Sequence, residues 1–378
     1  MFKRFFKKAP VVTAGILFLI FVLVPQAWSA KYTLKIQTAV PSSSMYFKTM
    51  ERLGKRIETL SGGEIKVEVF AAGAIVKAFE ILDAVSEGII NGGQAWTHYW
   101  SGKSPAGLLF AAPTAGLGVG LDQRALLSWA WEGDGGKLLN QFYQKELGYD
   151  IQAWLCMPMG PEPFGWFPKP FKTLDDLKKI KFRSPPGIPS ESFRLIGMPV
   201  VSMPGSEIVP AAQRGVIDAA EWISPGDDQL LGLADIWKYY YLQGLHQVDS
   251  IGDVYINKKW FDSLPPRLQA VINESMKACI ADQINMNVSL NSKALKDLVI
   301  NKGVHLEETP EWYFKAYMQV VPEILDKYSA KNPFFKQVLA SLMEWAKLTV
   351  PYQTKVNGVY YKMGKTALDT GKMSDYKK

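Results

Sequence analysis

The sequence predicts an α/β chain folded as two lobes, each a βαβαβ-based sheet flanked by helices, with a long helix crossing both lobes and further helices at the C-terminal end. Three observations predict it. One strand–helix–strand–helix–strand order appears twice along the chain. A helical pattern then runs from Pro265 to about Lys302 with few breaks. Finally, about 350 residues remain once a leader is set aside, more than one ordinary core accommodates.

The leader comprises residues 1–29. MFKRFFKK carries Lys3, Arg4, Lys7 and Lys8, the apolar run VVTAGILFLIFVLV follows from Val11 to Val24, and small residues Ala27 and Ser29 precede the expected cut after Ser29. A basic start, a short apolar segment and small residues at the cut describe a secretory signal peptide. As a helix the run rises only about 21 Å, short of a hydrocarbon core of about 30 Å. Removing the four basic residues lowers the formal net charge from +7 to +3. The remaining chain is near neutral, which argues against a nucleic-acid or anionic-membrane partner.

The first unit opens with YTLKIQTAV, a strand by its Leu34/Ile36 alternation. Pro41 and three serines end it and offer helix caps. Tyr46, Met50, Leu53, Ile57 and Leu60 recur at helical spacing until Ser61-Gly62-Gly63 stops the helix. EIKVEVF alternates as a strand with Ile65, Val67 and Val69 facing in, and KAFEILDAVSEG forms a second helix leading into the strand GGQAW.

The second unit begins after the short helix LDDLKK, which Thr173 and Asp176 cap. KIKFR, PVVSMP and VIDAAEW read as strands, with IPSESFRLIG and SEIVPAAQRG as the helices between them. The units end alike, on Gln94-Ala95-Trp96 and on Ala220-Glu221-Trp222. Ligands of such sheets sit outside the carboxyl ends of the strands, so both tryptophans are expected at a shared cleft. Glu221, closing a buried strand, requires a partner because an uncompensated carboxylate is expensive to desolvate.

The helix from Pro265 would reach over about 50 Å, enough to cross both lobes. Thr309-Pro310 and Asn332-Pro333 each place a proline at a helix start. The expected division is 1–29 signal peptide, 30–155 with about 249–285 as the first lobe, 156–248 with about 286–350 as the second lobe with the spanning helices, and 351–378 as a C-terminal tail. Residues 352–372 are weakly amphipathic and would either fray or pack on a second subunit. There are two cysteines, Cys156 and Cys279. Export makes a disulfide available, but Cys279 shares an apolar helical stripe with Leu268, Ile272 and Met276, which favours a plain core thiol.

At this point AAGAIVKAFEILDAVSEGIINGG, HYWSGKSPAGLLFAAPTAG, GPEPFGWFPKPFKTLDDLKKIKFRSPPG, GSEIVPAAQRGVIDAAEW and DIWKYYYLQGLHQ together resemble the solute-binding proteins of TRAP transporters. The resemblance runs in register over nearly the whole chain after the leader and is strongest to the 2-oxo- and hydroxy-acid branch. It implies a periplasmic binding-protein fold whose lobes close over a small organic acid for delivery to a sodium-driven TRAP permease. It also implies that Arg183 pairs the ligand carboxylate. A metal ion would be held by the Glu221 carboxylate, the Trp222 carbonyl and side chains at Glu162 and Gln247. An amide is expected at the Glu162 position, and the extra negative charge leaves the ion open between Ca²⁺ and Na⁺. Branch relatives with a long tail dimerise by exchanging it, which the tail here would also permit.

Each residue has a plainer reading. Arg183 would suit a carboxylate as a planar fork, or form a salt bridge with Glu191 or an aspartate. Glu221 would meet a hard cation, or an Arg or Lys partner, Arg183 included. Trp96, Tyr99, Trp100, Phe164 and Trp166 would line the pocket or belong to the lobe cores, with Tyr99 favoured for the pocket. The scattered histidines His98, His246 and His305 make a zinc site unexpected; His246 is expected to orient Gln247 or cap its loop. GDGGK lacks the full phosphate-loop spacing, and no Gly-x-Ser-x-Gly elbow occurs. The alternative to a receptor is a periplasmic metal-dependent enzyme acting on small acids, with the ion as Lewis acid.

Overall fold

A computed structural model describes residues 30–374 except Pro204, together with Tyr376. The signal peptide expected at 1–29 lies outside the described residues. In chain order the strands are β1 (Tyr32–Thr38), β2 (Ile65–Phe70), β3 (Gly92–Ala95), β4 (Ile151–Pro158), β5 (Gly165–Phe167), β6 (Phe182–Arg183), β7 (Val200–Val201), β8 (Ala219–Ala220), β9 (Tyr239–Tyr241), β10 (Ile251–Asn257) and β11 (His305–Glu307). They form two sheets, ordered β2-β1-β3-β10-β4 and β11-β9-β5-β8-β6-β7.

Both repeated units are present with the same wiring. β1 lies between β2 and β3 and is parallel to each, while β6 lies between β7 and β8 and is parallel to each. Two neighbouring strands run against this grain: β10 is antiparallel to β3, and β5 is antiparallel to β8. The chain enters the second sheet after β4, returns for β10, and leaves again for β11. Several crossings therefore join the lobes, as in a two-lobed binding fold.

Beneath the first sheet the helix Met45–Leu60 buries Met50, Leu53 and Ile57 and is started by the Ser44 hydroxyl, which accepts from the Tyr46 N–H. Leu60, expected on the buried face, is exposed, because it falls in the last turn beside the terminating glycines. Gln37 on β1 fixes the loop beyond β2: its side-chain amide donates to the Val76 carbonyl at 2.6 Å, and its oxygen accepts from the Ile75 and Val76 N–H groups at 3.0 Å. That loop leads into the short helical turn holding Phe79.

The helix Pro266–Ile300 spans 35 residues. Its first half packs Leu268, Ile272, Met276 and Cys279 into the first-lobe core beside Trp154 and Cys156. Its last turns bring Leu295 and Leu298 against Leu233 and Trp237 of the second lobe. Polar contacts tie it to both sides: Thr49 donates to Gln283 at 2.6 Å, and the Gly226 N–H donates to Asn291 at 3.0 Å. Both cysteines are buried free thiols.

The two C-terminal helices pack in different places. Glu311–Lys331 inserts Tyr313 and Tyr317 among Phe164 and Phe193, with Tyr313 stacked on Phe164 at 4.3 Å. The helix Pro333–Asp369 packs on the first-lobe helix Gln123–Glu132, where Trp129 donates to Ser341 at 3.0 Å and Trp345 to Ser128 at 2.9 Å. Residues 333–350 thus lie with the first lobe, because their indole and hydroxyl partners are there. No separate tail begins at Pro351; the same helix continues to Asp369, and Tyr352, Tyr360, Tyr361 and Met363 stand exposed along it. No helix among the described residues is long and apolar enough to cross a membrane.

Candidate functional site

Between the lobes lies a cavity of about 770 Å³, lined by Trp96, His98 and Tyr99 from the first lobe and by Glu162, Arg183, Glu221, Trp222 and Gln247 from the second. The carboxyl ends of the two wiring-equivalent units meet there, since Trp96 follows β3 and Glu221-Trp222 follows β8.

Arg183, the last residue of β6, is 5 % exposed. Its Nε and Nη2 donate to the Met203 carbonyl at 3.1 and 2.9 Å, which fixes the plane of the fork. Nη1 is left for Glu221, and forms a short ion pair with its carboxylate and a longer contact with its carbonyl at 3.3 Å. Parallel pairing of β6 with β8 sets Arg183 opposite Ala220, so the next residue, Glu221, comes within reach of the guanidinium. The indole of Trp222 lies under the guanidinium carbon at 5.3 Å. Gly205 makes room for that indole: a Cβ there would meet the ring at 2.1 Å.

Glu162 and His246 complete the cluster. His246 Nε2 lies 3.4 Å from Glu162 and 3.6 Å from Glu221. The histidine is fully buried, packed on Phe193 at 5.5 Å between ring centroids. Its loop is pinned to the first lobe where the Thr114 hydroxyl donates to the His246 carbonyl at 3.2 Å and the Ala115 N–H to the Leu245 carbonyl at 2.8 Å. The Glu162 N–H donates to the Gln247 carbonyl at 3.2 Å, so the two loops are held together.

The electrostatics follow from burying two carboxylates beside one permanent cation. Burial pushes Glu162 up to about 7, against the pull of His246 and Arg183. Burial opposes ionisation of Glu221 too, but Arg183 and His246 outweigh it and its pKa is lowered. For His246, burial favours the neutral ring, yet the two glutamates outweigh burial and raise it to about 9. His98, on the opposite wall, is lowered by burial to about 4 and faces the cavity as a neutral imidazole.

Glu162 Oε2 and both His246 ring nitrogens make no hydrogen bond of ordinary geometry. Ligand atoms of Glu162, Glu221 and His246 lie within 4.8 Å of one another. The two buried carboxylates, one with an oxygen left without a hydrogen bond, suit a hard cation, whereas His246 would have to give up its proton before its nitrogen could join them. Gln247 shares the cavity wall.

Of the residues singled out from the sequence, Arg183, Glu162, Glu221, Trp222, Gln247, Trp96 and Tyr99 are therefore brought to one cavity. Trp166 is not. Its ring stacks on Tyr240 with centroids 4.0 Å apart, and its N–H donates to Asp228 at 2.8 Å, which turns it into the second-lobe core. Trp100 and Phe164 are core residues as well. His246, expected only to orient Gln247 or cap a loop, stands between the two glutamates. His98, one of the scattered histidines, lines the cavity between Trp96 and Tyr99, a role that a lone histidine does not signal by spacing.

A family model for bacterial extracellular solute-binding proteins of family 7, DctP, matches residues 36–332. A monocarboxylate 2-oxoacid-binding periplasmic protein of Nostoc is 31% identical over 304 residues, covering 80% of this chain and 81% of that one. Among solved structures, a TRAP transporter solute-binding protein of Bordetella bronchiseptica, with copurified calcium and picolinate bound, superposes with a TM-score of 0.82 at 25% identity over 91% of this chain and 100% of its own. A Pseudoalteromonas atlantica protein with bound sodium and pyruvate superposes with a TM-score of 0.79 at 24% identity, covering 88% of this chain and 99% of its own, a likeness of fold. These are receptors, and the enzymatic alternative has no support among them. The chain belongs to the bacterial extracellular solute-binding proteins of family 7, the DctP receptors of TRAP transporters.

Proposed function

We propose that this receptor captures a 2-oxo or 2-hydroxy monocarboxylate in the interlobe cavity, together with Ca²⁺ or Na⁺, and delivers it to a sodium-driven TRAP permease. The observation that carries the reading is the buried cluster of Arg183, Glu162, Glu221 and His246 at the meeting point of the two lobes. The 2-oxoacid-binding relative and the calcium-containing neighbour support it.

In this reading Glu162, Glu221, Gln247 and the Trp222 carbonyl would hold the cation, which would neutralise the buried carboxylates and supply positive charge for an acidic ligand. The ligand carboxylate takes the place of Glu221 at the outer end of the Arg183 fork, on Nη1 and the second N–H of Nη2, while Nε and the other N–H of Nη2 stay anchored on Met203. Two parallel charge-assisted bonds are what a planar guanidinium supplies and an ammonium does not. Contacts from both lobes then favour the closed arrangement, a shift of a hinge equilibrium.

The test is a thermal-shift panel of pyruvate, lactate, longer 2-oxo acids and C4-dicarboxylates, each with calcium, with sodium alone and with chelator. A ligand at a hundred times its dissociation constant adds about 2.7 kcal/mol, a shift of a few degrees. Stabilisation by a monocarboxylate that chelator and low sodium abolish is expected; stabilisation by C4-dicarboxylates alone would sink the reading.

The same proposal includes removal of residues 1–29, checked by finding Ala30 at the N-terminus of the exported protein. It also includes a homodimer through the exposed end of the helix Pro333–Asp369, whose tyrosines and Met363 are unusually bare for a lone helix. Deleting residues 351–378 should halve the mass in solution; an unchanged mass would end the dimer.

A further inference from the structure

The charged cluster takes up one wall of the cavity, and much of the rest is apolar and drawn from both lobes. Phe79 and Tyr99 come from the first lobe, and Met203, Ile223, Leu230 and Leu231 from the second. Phe79 leans on Tyr99 with ring centroids 4.9 Å apart. Even so, Phe79 is 51% exposed and Leu230 61%. Large apolar side chains left in water on both sides of a cavity gain by being covered.

Outside the cluster, Trp96 Nε1 and His98 Nδ1 are buried lining atoms without a hydrogen-bond partner; both stand with Tyr99 on the first-lobe wall, and the remaining polar groups make no comparable demand on a ligand. The Asp227 carboxyl takes the Ser224 hydroxyl at 3.5 Å and is further held by Ser44. Lys77 is exposed to solvent. A cavity of about 770 Å³ falls in the range that encloses drug-sized molecules, and a three-carbon acid would leave most of it to water.

We propose that the ligand is a 2-oxo or 2-hydroxy monocarboxylate carrying a bulky apolar side chain, branched aliphatic or aromatic, and that Phe79 and Leu230 close over that side chain. This rests on the reading of the Arg183 cluster as a carboxylate site. The carboxylate end stays at the cluster, and the side chain extends along the apolar wall. Each further buried methylene is worth about fourfold in affinity, reduced by the cost of ordering the chain.

The experiment is isothermal titration of the calcium-loaded protein with pyruvate, 4-methyl-2-oxopentanoate and phenylpyruvate. It is run on the parent and on Phe79→Ala and Leu230→Ala, both at exposed positions where truncation leaves folding intact. The larger acids should bind at least about tenfold tighter than pyruvate. Each substitution should remove most of that advantage while changing pyruvate affinity by less than about twofold. Pyruvate binding as tightly as the larger acids, or losing affinity in step with them in the variants, overturns the apolar-side-chain proposal and leaves the carboxylate site standing. Absence of binding by all three acids, with and without calcium, overturns the carboxylate site and this proposal with it.

Discussion

Arg183 and Glu221 form a buried ion pair across neighbouring strands, and among the described residues the one further ion pair to either is that of His246 with Glu221. The guanidinium is anchored by Met203, so its orientation does not depend on Glu221. An incoming carboxylate therefore meets a fork already aimed at the cavity. Glu221 in turn has somewhere to go, because Glu162 and His246 stand beside it.

Replacing Arg183 by alanine should weaken carboxylate binding by at least about thirtyfold, the lower end of what truncating a buried charged partner costs. The same variant should lose about 3–5 kcal/mol of stability, since Glu221 is left buried and unpaired. Arg183→Lys separates the two effects: it keeps a charge beside Glu221 but loses the fork, so stability should recover more than affinity. Urea unfolding and titration on the same samples check this; equal recovery of both would count against bidentate recognition.

Glu162→Gln restores the amide that the family resemblance leads one to expect. It removes one buried negative charge and should lower affinity for calcium while sparing, relative to the parent, the response to sodium. Fluorescence titration with the two ions reads the ratio. A variant with unchanged calcium preference would remove Glu162 from the ion site.

Gly205→Ala should push the Trp222 indole off its seat under Arg183, because the added methyl carbon would lie 2.1 Å from the ring. A loss of about 1–3 kcal/mol is expected for overpacking of this kind, with weakened ligand binding. Thermal unfolding and titration check it; a variant matching the parent in both would show that Trp222 does not depend on this contact.

Asp228 gives a pH dependence whose sign can be worked out. Burial raises it to about 8, above an unfolded value of about 3.9, although Trp166 and Tyr240 each donate to it at 2.8 Å. A raised folded-state value means that its contribution is fully present below about pH 4 and is lost as the pH rises towards 8. Within that window the slope approaches about 1.4 kcal/mol per pH unit. Asp228→Asn should therefore flatten the fall in stability between pH 5 and pH 8 measured by urea unfolding. Parallel curves for the two proteins would refute the assignment.

Much of this arrangement could be read from the residues. The two repeated units, the spanning helix and the ends of β6 and β8 follow from periodicity and from where apolar runs stop, and those strand ends carry Arg183 and Glu221. Other parts left no local signature. β10, inserted antiparallel beside β3, is the sequence IGDVYIN, whose glycine and buried Asp253 disguise a central strand. Trp166 and Trp96 look alike in sequence, and only the strand's facing sends one to Asp228 and the other to the cavity. His246 acquires its role from Glu162 and Glu221, which approach it from other loops, so the immediate neighbours of His246 could not announce it.

A cation and a carboxylate are proposed to bind together at the Arg183–Glu221–Glu162 cluster. The most direct test is isothermal titration of a 2-oxo monocarboxylate into protein freed of metal by chelator in low sodium, repeated after adding back calcium. Little or no binding to the metal-free protein is expected, with saturable binding after calcium is restored and its loss again in Arg183→Ala. The same affinity with and without the ion would contradict it, leaving Arg183 as the carboxylate's holder and Glu221 as no more than its resting partner.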